Sequence, residues 1–287
     1  MAKVLSGKPV AAALCEKTLA EAERLKASGV EPTLCVVRLG EDPSDLSYER
    51  GIMKRAASVG VSVRSEALPL ETSAEELIAL MKSLSADSSV HGVLMFRPLP
   101  RAIRARESEI IAALDPRKDV DGMTDGSAAG VYLNKPLGYA PCTPNACIEI
   151  LDYYGIDPTG KRAVVIGRSA VVGKPAAMLL LSRHATVTIC HTRTKNLPEV
   201  AREAEILVAA AGRAEIVTGD HIAPGAIVLD VGVNWSEEKG KCVGDVLFDD
   251  AQHAEAVTPV PGGVGAVTTA ILLRNVVNAA KVLTEGM

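Results

Sequence analysis

Short apolar runs of strand length alternate with segments of helical period along most of this chain, and few folds satisfy that alternation. Residues 33–38 (Thr33-Leu34-Cys35-Val36-Val37-Arg38), 61–63 and 90–96 read as strands. Residues 45–59, 73–84 and 103–114 read as helices, with Glu76 three positions after Ser73 as in a capping box. Farther on, 162–167, 186–190, 206–210 and 227–231 are again strand-like, 145–154 and 174–183 are helical, and a last helix covers 267–283. This order predicts an α/β protein of βαβ units, each with a parallel sheet covered by helices. Composition agrees. The chain is 48% hydrophobic but only 3% aromatic, so its core must come from Ala, Val, Leu and Ile, which suits strands buried on both faces. A length of 287 residues accommodates two domains of ordinary size. The stiff segment 136–144, with Pro136, Pro141 and Pro144, is read as the crossing between them. The expected domains are therefore 1–140, completed by the C-terminal helix 267–287, and 141–266.

The formal net charge is -4 with both signs interspersed, which argues against a nucleic-acid surface or a basic membrane patch. The N-terminus lacks an apolar signal core, and no uninterrupted apolar run reaches membrane-spanning length. Six cysteines are scattered without C-x-x-C spacing, so neither disulfides nor a zinc site is expected and no metal is assigned. Together these features predict a cytoplasmic protein.

Two loops carry the chemistry. Gly167-Arg168-Ser169-Ala170-Val171-Val172-Gly173 joins a strand to a helix, where backbone N–H groups and a helix N-terminus suit a pyrophosphate. It is not the common G-x-G-x-x-G turn. Nor is it a P-loop, because Pro175 stands where a magnesium-binding hydroxyl belongs. The next strand runs into His191-Thr192-Arg193-Thr194-Lys195 without the carboxylate that would bind a ribose 2′-hydroxyl. Together with Arg168, these cations favour a 2′-phosphate, hence NADP over NAD; a solvated basic loop is the plain alternative. The second loop, Thr258-Pro259-Val260-Pro261-Gly262-Gly263-Val264-Gly265-Ala266-Val267-Thr268-Thr269, offers glycine-opened backbone at the start of the last helix.

That second loop resembles the PGGVGPMT signature of the methylenetetrahydrofolate dehydrogenase/cyclohydrolase (FolD-type) family, with Ala266-Val267 in place of Pro-Met. The 167–175 turn is similar to the family's GRSxxVGxP pattern. The resemblance implies a folate-binding catalytic domain and an NADP-binding Rossmann domain with a cleft between them, and usually a homodimer. It implies cofactor contacts at Gly167, Arg168, Ser169, Gly173, Thr192, Arg193 and Val233. It also implies a tetrahydrofolate substrate held by Tyr48, Asp121, Pro261, Gly262, Gly265 and Thr268, with Tyr48 and Asp121 at the reacting end and Asp121 on the pterin ring.

Two family residues are missing. Aligned on Tyr48, the motif A-S-x-x-Y-V-x-x-K-x-K-A puts Ile52 where the family has its active-site lysine, and Asp45 where it has serine. The family's V-Q-L-P-L-P appears as Met95-Phe96-Arg97-Pro98-Leu99-Pro100, so Phe96 replaces the glutamine that bonds to that lysine. An ammonium and its amide partner have both become apolar, which avoids stranding either one. The resemblance gives the lysine the task of opening the methenyl bridge, while hydride transfer rests on the cofactor. The expectation is a dehydrogenase with little or no cyclohydrolase activity. Three other readings stay open from sequence: a bifunctional enzyme using Lys54 or Arg97 instead, a folate- or NADP-binding protein without turnover, and a two-domain NADP dehydrogenase of the shikimate or amino-acid type.

Overall fold

The structure, a computed structural model, describes residues 1–285; residues 286 and 287, the end of the expected 267–287 segment, lie outside the described residues. The chain forms two compact units. One comprises Ala13–Ala140 and the chain from Thr269 onward, the other Met1–Ala12 and Pro141–Thr268. The first twelve residues thus belong with the second unit, not with 13–140. Backbone pairing explains the difference: β1 (Lys3–Val4) lies parallel to Ala256–Val257 at the edge of the second unit's sheet. A long helix, α1 (Gly7–Ala27), follows. It is missing from the sequence reading although its signal was there: buried Val10, Leu14, Thr18, Ala22 and Leu25 recur three or four apart.

The first unit is built on a three-stranded parallel sheet. Its elements are β2 (Thr33–Leu39), α2 (Pro43–Ser58), β3 (Ser62–Leu68), α3 (Ala74–Ala86), β4 (Gly92–Met95), α4 (Glu107–Ala112) and α5 (Asp125–Leu133). The strand order is β3-β2-β4, with Thr33 opposite Ser62 and Leu34 opposite Gly92. β3 is longer than the three residues read from sequence. The region 103–114 opens as a 3-10 turn, Arg104–Arg106, before α4. Local chemistry explains the helix starts: Asp42 accepts the Ser44 N–H just before Pro43, and Ser73 and Glu76 complete the expected capping box. Cys35, Val37, Leu77, Met81, Val93, Met95 and Leu99 form one buried cluster between sheet and helices.

The second unit contains α6 (Cys142–Tyr153), β5 (Arg162–Ile166), α7 (Gly173–Ser182), β6 (Thr186–Cys190), α8 (Leu197–Ala201), β7 (Ile206–Ala209) and β8 (Ile227–Asp230). A hairpin of β9 (Asn234–Ser236) and β10 (Lys241–Val243) and the short β11 (Ala256–Val257) follow. The main sheet has six strands in the order β1-β11-β8-β7-β5-β6, and every pairing in it is parallel. α6 begins three residues before its expected start, inside the segment read as helix-hostile. Pro144 is tolerated there because N–H groups in a first helical turn have no intrahelical acceptor to lose.

The last helix, α9 (Thr268–Glu285), is long and apolar enough by length and composition to cross a membrane. Its Ile271, Leu273, Val276, Val277, Ala279 and Ala280 are nevertheless buried in the protein, as in a core helix.

Candidate active site

In each sheet the chain doubles back beside a central strand, and ligands of such sheets bind outside the carboxyl ends of the strands flanking that point. In the three-stranded sheet those strands are β2 and β4. β2 leads through Gly40 into α2, which carries Tyr48 and Ile52; β4 runs directly into Phe96 and Arg97. The Phe96 N–H donates to the Val37 carbonyl at 2.9 Å, which extends the β2–β4 ladder up to the site.

Tyr48 is 46% exposed, and its ring centroid lies 5.5 Å from that of Phe96 at an interplanar angle of 37°. Phe96 is 8% exposed and Ile52 fully buried. Ile52 therefore belongs to the packing under α2. The neighbouring Lys54 is exposed. Glu49 anchors α2 from its buried side: it accepts from Arg38 Nε at 2.7 Å and from the Ser65 hydroxyl, and Arg38 also donates to the Gly40 carbonyl. This pairing ties the β2–α2 turn to the sheet and so sets the height of Tyr48.

Asp121 sits in a turn held from two directions. On one side, fully buried Asp119 accepts the N–H groups of Met123 at 2.8 Å and Thr124 at 2.7 Å and the hydroxyls of Thr124 and Ser127. On the other, buried Asn275 of α9 donates to the Val120 carbonyl at 2.9 Å. The Arg97 guanidinium lies 3.7 Å from Asp121 and 3.8 Å from Glu107, a cation between two carboxylates. The sequence reading missed Asp119 and Asn275 as supports. Asn275 bonds to a carbonyl 155 residues away, so only the fold reveals it. Tyr48 and Phe96 are thus in ring contact and Arg97 approaches Asp121, all of them, with Ile52, in the first unit.

In the six-stranded sheet the reversal lies between β5 and β7. Gly167, at the end of β5, has φ of 136° and faces the Ala210 carbonyl so closely that a Cβ would collide with it. A Cβ on Gly173 would run into the Gly167 carbonyl in turn. The two glycines bring the turn and the α7 N-terminus together with no side chain between them, a cradle that fits a pyrophosphate. Ser169 accepts the N–H groups of Val172 at 3.1 Å and Gly173 at 3.3 Å through its hydroxyl, so it builds the helix start as well. Past β6, the Thr194 hydroxyl accepts the His191 N–H at 2.9 Å and His191 Nδ1 accepts the Arg193 N–H at 3.1 Å. That turn leaves Thr192 and Arg193 exposed, as Arg168 is, with no carboxylate in the turn. The set fits a phosphorylated ribose better than a free 2′-hydroxyl.

Past β8, Val233 is 64% exposed on a loop braced by two buried aspartates. Asp230 accepts the N–H groups of Gly232, Asp245 and Val246; Asp245 accepts those of Gly212 and Arg213 and the Asn234 side chain. Burial pushes the Asp230 carboxyl up to about 7, with the Asp245 charge adding and the three N–H donors opposing.

Pro261, Gly262, Gly265 and Thr268 share this unit on one loop. There Gly262 has φ of 102°, Val264–Ala266 form a 3-10 turn, and the Thr268 hydroxyl donates to the Gly265 carbonyl at 3.1 Å.

The catalytic-domain profile of the tetrahydrofolate dehydrogenase/cyclohydrolase family matches residues 5–121, and the profile of its NAD(P)-binding domain matches residues 141–284. The "Bifunctional protein FolD" of Carboxydothermus hydrogenoformans is 49% identical over 285 residues, 99% of each chain. Among solved structures, the bifunctional FolD methylenetetrahydrofolate dehydrogenase/cyclohydrolase of Campylobacter jejuni superposes with a TM-score of 0.94 at 37% identity, covering 98% of this chain and 99% of its own. The Trypanosoma brucei methylenetetrahydrofolate dehydrogenase-cyclohydrolase, solved with NADP and an inhibitor, gives 0.89 at 33% identity, covering 98% of this chain and 97% of its own. With both domain profiles matched in order and a relative of this similarity end to end, the chain belongs to the tetrahydrofolate dehydrogenase/cyclohydrolase family.

Proposed function

We propose that this enzyme oxidises 5,10-methylenetetrahydrofolate with NADP and opens the resulting methenyl bridge slowly or not at all. The observation that carries the second half is the apolar pair at the family's lysine and glutamine positions: Ile52 fully buried and Phe96 nearly so. Opening the bridge needs a water molecule activated at its carbon and a proton moved, hence a titratable side chain within hydrogen-bond reach. Neither Ile52 nor Phe96 can hold or move a proton. Lys54, the nearest lysine along α2, is exposed, two residues on from buried Ile52 and on another face of the helix.

Hydride transfer makes no such demand. NADP, when bound, supplies the electron acceptor, and the chain's own groups orient the two partners. Tyr48 offers a ring face to the folate. Asp121 accepts paired N–H bonds from the aminopyrimidine, in a turn that Asp119 and Asn275 stiffen. Gly167, Ser169 and Gly173 shape the pyrophosphate cradle, Arg168, Thr192 and Arg193 receive the ribose phosphate, and Val233 borders the nicotinamide.

The reading includes a homodimer, as the family resemblance implies. In support, Tyr153 and Leu181 are about half exposed, at 48% and 53%, near the ends of the adjacent helices α6 and α7. Analytical ultracentrifugation at micromolar concentration should give twice the 30.0 kDa chain mass; a monomer would remove that part.

The enzymatic test is an assay that records reduced dinucleotide and methenyl product separately, with NADP and NAD in turn. NADPH and methenyl product should accumulate one for one, faster than with NAD. A methenyl yield lagging well behind NADPH would count against the reading.

A further inference from the structure

We infer that Arg97 is a specificity-determining residue whose guanidinium reads the 4-oxo group of the pterin ring and so selects 4-oxo over 4-amino folates. The inference rests on the reading above, in which Asp121 takes the aminopyrimidine. On the motif alignment Arg97 stands where V-Q-L-P-L-P has leucine, a fixed cation in place of an apolar side chain. The fold sets that cation beside the carboxylate: Arg97 Nη2 lies 3.7 Å from Asp121 Oδ2, and Nη1 lies 3.8 Å from Glu107 Oε1. Both are ion-pair distances, longer than hydrogen bonds, so neither contact takes up an N–H donor of the guanidinium. The Arg97 and Asp121 side chains keep 27% and 25% of their surface accessible. A ligand that hydrogen-bonds to the Asp121 carboxylate therefore comes within reach of Arg97 as well.

The ring edge decides which ligand suits this pair. A 2-amino-4-oxo pyrimidine presents along one edge an amino group, a ring N–H and a carbonyl: two donors, then an acceptor. A carboxylate only accepts, and it can take the two donors in parallel; a guanidinium only donates, and its charge does not titrate. Asp121 and Arg97 side by side complement that order. In a 2,4-diamino ring the carbonyl becomes a second amino group, which faces the guanidinium donor against donor. The ring N–H beside it is lost too, and regaining it by protonation would set a positive ring against the positive guanidinium. Leucine in this place would treat the two rings alike. Glu107 completes the arrangement: it draws on the far nitrogen of Arg97 and opposes closure of the guanidinium onto the acceptors that the ligand needs.

The test measures, without dinucleotide, the affinities of tetrahydrofolate and of its 4-amino analogue for the wild type, Arg97→Leu and Arg97→Gln. Neither ligand carries a one-carbon bridge, so no turnover intervenes. The ratio of the two affinities, 4-oxo over 4-amino, should fall by roughly ten- to a hundredfold in Arg97→Leu, the range for losing a hydrogen bond to a charged group. Arg97→Gln should lower it too, because an amide can turn either its donor or its acceptor to the ring; this polar variant decides the matter if the leucine variant does not fold. A wild-type ratio in a variant that binds NADP normally would overturn the proposal alone. That outcome includes equal gains for both ligands, the mark of a guanidinium that merely competes for Asp121. A wild-type enzyme that bound neither folate and reduced no NADP with methylenetetrahydrofolate would overturn the dehydrogenase reading and this inference together.

Discussion

At the scale of single residues, the proposed function treats Ile52 and Phe96 as one linked departure from the family motif, so their repair should be equally linked. Ile52→Lys with Phe96→Gln should raise methenyltetrahydrofolate hydrolysis well above that of either single variant, as measured by the decay of methenyl absorbance. Ile52→Lys alone would place an ammonium at a fully buried position, where desolvation favours its neutral form. Equal hydrolysis in the single and double variants would break the link. A second test concerns Asn275. Substituting Leu removes the Asn275 hydrogen bond to the Val120 carbonyl, which costs about 1 kcal/mol by denaturant midpoint. It should also weaken folate binding through the loosened Asp121 turn while leaving NADP affinity unchanged; equal losses for both ligands would contradict that role. The helix that carries Tyr48 and the turn that carries Asp121 are legible because spacing inside one element survives in a linear motif. Asn275 was not, because its partner is reached only after the chain has folded across 155 positions. Nor is the placement of Arg97 between Asp121 and Glu107 legible in the sequence, because the three lie on separate segments.

At the scale of elements, helix starts with chemical signals were readable and those without were displaced. Ser73 and Glu76 mark the beginning of α3, whereas α6 starts at Cys142, three residues before the sequence expectation, because Pro144 sits in a first turn where it breaks nothing. The bracing of the β8–β9 loop was not readable at all, since an Asp-Val-Gly string is silent about which backbone groups its carboxylate collects. That bracing makes a pH prediction. Folded Asp230 keeps its proton up to about pH 7, whereas the unfolded chain releases it near about pH 4. Between those values the native state holds the extra proton, so this group's contribution to stability declines as pH rises through the window. Asp230→Asn removes the titration. The melting temperature of the wild type should therefore fall more steeply from pH 4 to 7 than that of the variant, and parallel curves would show that Asp230 does not titrate there.

At the scale of the molecule, the two parallel sheets were legible because their apolar strands alternate with helical segments in unbroken order. The assignment of residues 1–12 was not. A two-residue strand such as Lys3–Val4 has no periodicity to read, and its place comes from pairing with Ala256–Val257 at the far end of the chain. In each sheet the segment after a strand beside the reversal of strand order carries candidate residues, Tyr48 beyond β2 and Gly167 to Gly173 beyond β5. The central claim is that such a scaffold sustains hydride transfer after its proton-handling pair has become apolar. The most direct measurement is the rate at which purified wild-type enzyme, without dinucleotide, opens added methenyltetrahydrofolate, against the same buffer without protein. The account predicts a rate indistinguishable from the uncatalysed one in a preparation that reduces NADP with methylenetetrahydrofolate; hydrolysis keeping pace with that reduction would contradict it.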